Sequence, residues 1–290
     1  MQTIIGTKKV LFPRFGTLNC ILSFPSEFAQ SRRVDIWLPD NYDPRSEYAV
    51  LYMHDGQNLF NPAVGFHGMI WAVDHALQPL IDKGEVRPTL VVGIWNTSQR
   101  YSEYLPSPAF NLLPEEYREM MREEHNNPGL QPLSDNYLKF IVEELKPFVD
   151  GMFPTLTDPA NTFIMGSSMG GLISSYALAL YPDIFGGAGC VSTHWPLSLH
   201  VNDEAYSQPY INWLASRLPK PEEGHRLYFD YGTETIDAFY EPHQLMMDEK
   251  LRELGWQEGE NWITFKDEGA PHSETAWRNR VHLPLEFLLR

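Results

Sequence analysis

Cysteine is scarce in this chain: of 290 residues only Cys20 and Cys190 carry a thiol. Two cysteines cannot staple a disulfide scaffold, and they lack the paired spacing of a zinc site. A reducing, cytoplasmic location is therefore expected. Clustered cations are missing too. Lys and Arg number 22 against 38 Asp and Glu, a formal net charge of -16. Phosphate-backbone binding needs grouped Lys and Arg, so no nucleic-acid partner is expected. No apolar run approaches the roughly 20 residues that cross a bilayer, which argues against a membrane partner. The opening stretch "MQTIIGTKKVLFPRFG" has no apolar core of the kind an export signal carries. There is no internal repeat and no composition break. A single domain over 1–290 is the expectation, and self-association into a homo-oligomer is compatible with it.

What the chain does have is apolar material in short, ordered pieces. The hydrophobic fraction is 43% and the aromatic fraction 13%. That suits a globular chain able to bury roughly three quarters of its unfolded surface. "CILSFPS" and "RRVDIWLPD" read as early strands. "YAVLYMHDGQN" reads as a buried strand ending at His54. In "MIWAVDHALQPLI", Ile70, Val73, Leu77 and Leu80 share one helical face. "TLVVGIW" is another continuous apolar strand, and "SDNYLKFIVEELKPFVD" a helix capped by Ser134 or Asp135. Further on, strands at 161–165, "GGAGCVS", "RLYFDYG" and "WITFKD" alternate with helices, the last starting near Ser273. Continuous apolar strands separated by helices predict an α/β fold with a mostly parallel central sheet and helices on both faces. The proline-rich span 97–133 breaks this rhythm and is expected to form a short irregular cap over the strand ends, where such folds place their sites.

One stretch, "NTFIMGSSMGGLISSYALALYP", turns from a strand into a helix through "GSSMG", which fits G-x-S-x-G with Ser168 at the nucleophile position. A sharp corner strains that residue and lifts its hydroxyl out of the sheet. Small flanks at Gly166 and Gly170 give the corner room, and Ser167 is a bystander. The helix starting at Met169 aims its amides and its positive dipole end at a developing oxyanion. A serine hydroxyl also needs a base, and the base an orienting acid. In doubly wound hydrolases the acid and the histidine follow the serine in chain order. His272, on the Gly-Ala-Pro loop beyond the last strand, is in the base's position. The acid is Asp237 or Glu234, both in the loop after "RLYFDYG", with Asp237 preferred. Backbone N–H groups of Met169 and of Gln57, the latter in "HDGQNLF", are the expected oxyanion donors, with Asp55 holding that loop through local hydrogen bonds. No H-E-x-x-H pattern or other ligand set is present, so neither a metal nor a cofactor is expected.

With these pieces together, the chain resembles the putative-esterase branch of the α/β-hydrolases, which includes esterase D, the enterochelin esterases and feruloyl esterases. "YMHDGQNLF", "VVGIWNTSQRYSEYLP", "FIMGSSMGGLISSYALALYPDIFGGAGCVS", "YFDYGTETIDAFY" and "GAPHSETAW" carry the resemblance over roughly residues 30 to 290. It implies an α/β-hydrolase fold and a serine carboxylic-ester hydrolase built on Ser168, an acid and His272. Many relatives carry the acid three residues after the strand-ending glycine. Here that position is Thr235.

Beside these, Arg100, Tyr101 and Tyr104 after the fourth strand, and His194 and Trp195 after the sixth, are candidates for lining a substrate pocket. A small-molecule ester is the expected partner. An acyltransferase using the same three groups, and a non-catalytic hydrolase-like binding protein, are the alternatives.

Overall fold

The computed structural model describes residues 12–290. The expectation that the first residues hold no export signal lies mostly outside that range. Eight strands form one sheet: β1 (Thr17–Phe24), β2 (Arg32–Leu38), β3 (Ala49–Met53), β4 (Thr89–Ile94), β5 (Thr162–Ser167), β6 (Gly187–Val191), β7 (Arg226–Glu234) and β8 (Trp262–Pro271). Their order across the sheet is β1-β2-β4-β3-β5-β6-β7-β8. Only β2 runs against its neighbours, and β3 to β8 are parallel. β3, β4, β5 and β6 are buried along their whole length. Parallel strands covered on both faces require that, and it is why they read as unbroken apolar runs.

The helices are α1 (Val73–Asp82), α2 (Arg100–Tyr104), α3 (Ser107–Asn111), α4 (Glu115–Glu124), α5 (Ser134–Lys139), α6 (Lys146–Met152), α7 (Met169–Leu180), α8 (Glu204–Ala215), α9 (Tyr240–Glu253), α10 (Glu274–Arg280) and α11 (His282–Leu289). On one face of the sheet, Leu77 and Leu80 of α1 and Leu285 and Leu288 of α11 pack with Leu51, Met53 and Phe163. On the other, Ile141, Leu145, Leu172, Ile173, Leu214 and Met247 pack with Tyr52, Ile164 and Phe229.

Several boundaries differ from the sequence reading. α1 starts at Val73 because Ala72 takes a left-handed conformation with φ 50°. α5 is preceded by Leu133 and neither Ser134 nor Asp135 caps it; Ser134 instead accepts from the Ser107 N–H at 3.0 Å. Between α5 and α6 the turns widen over Phe140–Leu145 into π geometry. Pro147 lacks an N–H and its ring would crowd the carbonyl four residues back, so a local widening is the expected response. The span 97–133 is not irregular: it holds α2, α3 and α4. It leans on the segment after β6. The Tyr101 hydroxyl donates to the Leu197 carbonyl at 2.9 Å, Glu124 accepts from the Ser198 hydroxyl at 2.7 Å, and Tyr117 stacks on Tyr206 at 4.5 Å.

Candidate active site

The corner between β5 and α7 is as tight as the glycine spacing implies. Ser168 sits at φ 60°, ψ −122°, a left-handed backbone that an L-residue adopts only under constraint. Its N–H donates to the Val191 carbonyl at 2.9 Å, which ties the corner to β6. Its carbonyl accepts from Gly171, Leu172 and His194 at 3.0, 3.3 and 3.2 Å. A Cβ on Gly166 would meet Cδ2 of His54 at 2.9 Å and the Gly170 backbone at 3.0 Å.

At the far side of the sheet, β7 and β8 deliver Asp237 and His272. Asp237 lies in a short helical turn after β7 and is completely buried, at 0% exposure. Its Oδ1 accepts from His272 Nδ1 at 2.5 Å. Its Oδ2 accepts from the Ser192 hydroxyl at 2.6 Å and the Gly232 N–H at 2.7 Å. Burial alone would raise this carboxyl's pKa. The hydrogen bond and charge of His272, with the other two donors, more than offset it and hold the pKa below the usual carboxylate range. Glu234, at the end of β7, is exposed. Thr235, at the position where the resemblance would put an acid, plays a different part: its hydroxyl accepts from the His272 N–H at 2.9 Å and so fixes the histidine's loop. The His272 ring also stands edge-on to Trp277 at 4.9 Å.

Ser168 and His272 line one cavity of about 520 Å³ with Asp55, Gln57, Asn58, Asn96 and Arg100, closed by Phe66, Val64, Glu274 and Trp277. Asp55 ties its own loop locally, its carbonyl accepting from the Asn58 N–H at 2.8 Å, but its carboxylate has distant partners. It is gripped across 45 residues by Arg100, whose Nε and Nη2 reach its two oxygens at 2.7 Å each, and Asn96 Nδ2 adds a third bond at 2.6 Å. Burial again pushes the Asp55 pKa up, and Arg100 pulls it below its ordinary value. Glu274, hydrogen bonded to Asn58 Nδ2 at 3.2 Å, has its pKa raised by burial. The Gln57 side chain accepts from the Asn96 N–H at 3.3 Å. Among the described residues, the N–H groups of Met169 and Gln57 have no acceptor. A Cβ on Gly56 would lie 2.6 Å from the Gly93 backbone, so only glycine lets this loop sit so close to β4.

The remaining candidates stand behind the cavity wall. Tyr104 is buried, accepts from the Asp55 N–H at 3.2 Å and lies under the Arg100 guanidinium. Tyr101 is turned to Leu197 and His125. Trp195 donates to Gln244 at 2.8 Å. His194 pairs its Nδ1 with the Tyr240 hydroxyl at 2.8 Å, and burial drives its pKa down to about 3, so it is neutral. Ser192, Glu274, Trp277 and Arg280 were not expected at the site from sequence, and Thr235 was marked only as the place of a missing acid. The signal available for Trp277 and Arg280 was their one-turn spacing on a helix capped directly after His272. Ser192 had only its place at the end of β6. Among the described residues no group of acidic, His and Cys side chains could hold a metal, and no helix is long and apolar enough to cross a membrane.

The strand order and the strand–turn–helix corner define an α/β-hydrolase fold. The family described as "Putative esterase" matches residues 26–281, and this chain belongs to it. Among curated proteins, YbbA of Bacillus subtilis (strain 168) is 25% identical over 169 residues, which is 58% of this chain and 59% of YbbA. The match thus spans under two thirds of that relative. Solved structures of the same fold include the enterobactin esterase FES from Shigella flexneri, with TM-score 0.65, 18% identity, and coverage of 98% of this chain and 60% of that one. Another is the ferulic acid esterase AmCE1/Fae1A from Anaeromyces mucronatus, with TM-score 0.60, 19% identity, and coverage of 97% and 93%.

Proposed function

We propose that this chain is a serine hydrolase that cleaves carboxylic esters of small molecules through an acyl-enzyme on Ser168. The observation that carries the reading is the 2.5 Å bond from buried Asp237 to His272, on the wall of the cavity that Ser168 also lines. Family membership and two esterases of the same fold support an ester as the bond cleaved.

The steps follow from the groups present. His272, its Nδ1–H held by Asp237, presents the other ring nitrogen as the base and accepts the Ser168 proton as Oγ attacks the ester carbonyl. The oxyanion settles against the Met169 and Gln57 amides. His272 gives its proton to the departing alcohol. Water then repeats the attack on the acyl-enzyme, and Ser168 leaves with the proton returned by His272. Asp237 stays ionised throughout and stabilises the imidazolium.

A fluorophosphonate probe should label Ser168, and the Ser168→Ala variant should take no label. Turnover of a short p-nitrophenyl ester should fall by about 10³ to 10⁴ in Asp237→Asn, the size expected when a histidine loses its orienting acid. Glu234→Gln should stay within about twofold of the parent. Comparable losses in both variants, or no labelling of folded protein, would overturn the assignment.

A further inference from the structure

We propose that Ser192 is a positioning residue: its hydroxyl stands between the Asp237 carboxylate and the buried Arg280 guanidinium and keeps Asp237 aimed at His272. The inference rests on the serine-hydrolase reading above.

Ser192 follows β6 directly, in a left-handed conformation with φ 42°, and its N–H is anchored on Asp230, at 2.9 Å to the carbonyl and 3.0 Å to Oδ1. Its Oγ has three neighbours. It receives the Trp277 indole N–H at 2.9 Å and the Arg280 Nη2–H at 2.8 Å, and it faces Asp237 Oδ2 at 2.6 Å. An indole and a guanidinium can only donate, so they occupy the hydroxyl's two lone pairs. The single Ser192 proton then has one destination, Asp237 Oδ2. With the Gly232 N–H on the same oxygen, Oδ2 is satisfied and Oδ1 is left for His272.

The hydroxyl also keeps two charges apart. Arg280 Nη2 lies 4.0 Å from Asp237 Oδ2, beyond hydrogen-bond length, and pairs with Asp230 at 3.0 Å. All four side chains are buried, where opposite charges attract strongly. With the Ser192 oxygen gone, Arg280 and Asp237 are free to close into a direct pair, and the carboxylate turns away from the imidazole. The groups facing His272 are Asp237 and Glu274, with Arg280 and Asp230 behind them and the neutral His194 beyond Tyr240.

The test compares Ser192→Ala in the parent and in an Arg280→Met/Asp230→Asn background, where the competing cation is removed as a neutral pair. In the parent, Ser192→Ala should lower kcat more than tenfold, with KM unchanged and the acid limb of the pH profile displaced downward. In the second background the same substitution should cost less than threefold. Equal losses in both, or a parent loss under threefold, would overturn the proposal. If Ser192→Ala does not fold, Ser192→Thr against Ser192→Val isolates the hydroxyl, and equal kcat values in that pair would overturn it. Fluorophosphonate labelling of the parent separates the two claims. Labelled parent with an indifferent Ser192 sinks only this inference, whereas unlabelled parent sinks the hydrolase reading itself.

Discussion

Gly166 occupies a space closed by the residue that follows β3. The atom its Cβ would strike belongs to His54, whose ring is buried and tied to the Tyr137 hydroxyl at 2.8 Å. The ring has nowhere to retreat, so Gly166→Ala should destabilise the protein by about 1–3 kcal/mol, the usual cost of overpacking. Urea unfolding would measure it, and slower fluorophosphonate labelling should accompany it as the Ser168 corner shifts. Ser168 and His272 stand out in the sequence because local context marks them: glycines around one, a strand end and a helix start around the other. Asp237 against Glu234 was not legible. The two lie three residues apart in one loop, and only the fold buries one beside His272 and leaves the other in solvent. Of the pocket candidates, Asp55 and Arg100 line the cavity and the other four stand behind it, for a related reason. Position after a strand puts Tyr101, Tyr104, His194 and Trp195 near the site, but tertiary partners decide which way each ring turns.

α10 is the element on which the candidate site depends most. It begins two residues after His272, contributes Glu274 to the cavity wall, and carries Trp277 and Arg280 toward Ser192. The helix is only seven residues long, too short to hold itself together without capping and packing. Ser273 is its N-cap, accepting from the Ala276 N–H at 3.3 Å. Ser273→Ala should therefore lower stability by about 1 kcal/mol, read by urea unfolding, and reduce kcat as the first turn frays. The start of this helix near Ser273 was visible in the sequence, as were seven of the eight strands to within a few residues. β8 runs past the predicted Asp267 to Pro271 because its far end pairs again with Glu234 beyond a register shift. No local signal encodes such a long-range pairing.

At the scale of the whole molecule, burial of histidines sets the acid side of stability. His54 and His194 are pushed by burial from 6.5 to about 3, and His243 to about 4. The unfolded chain binds these protons near pH 6.5 while the folded chain refuses them. Their contribution is fully present above that pH and is lost as pH falls toward 3. Each of the first two should cost close to 1.4 kcal/mol per pH unit well below 6.5. Carboxyls raised by burial, at Asp74, Asp230, Asp248 and Glu274, act in the opposite sense nearer the carboxylate range. Urea unfolding at pH 7.5, 6.5 and 5.5 should therefore show a decline that is steeper in the lower interval than in the upper, and His194→Asn should lose its share of that slope. Ser168 hangs from a central strand, but His272 hangs from β8, the last strand in the order, which among the described strands pairs with β7 alone. Edge strands detach in fluctuations far smaller than global unfolding. On the proposed reading, hydrolysis would then lapse through transient peeling of one ribbon, with the core intact, and return when the ribbon closes.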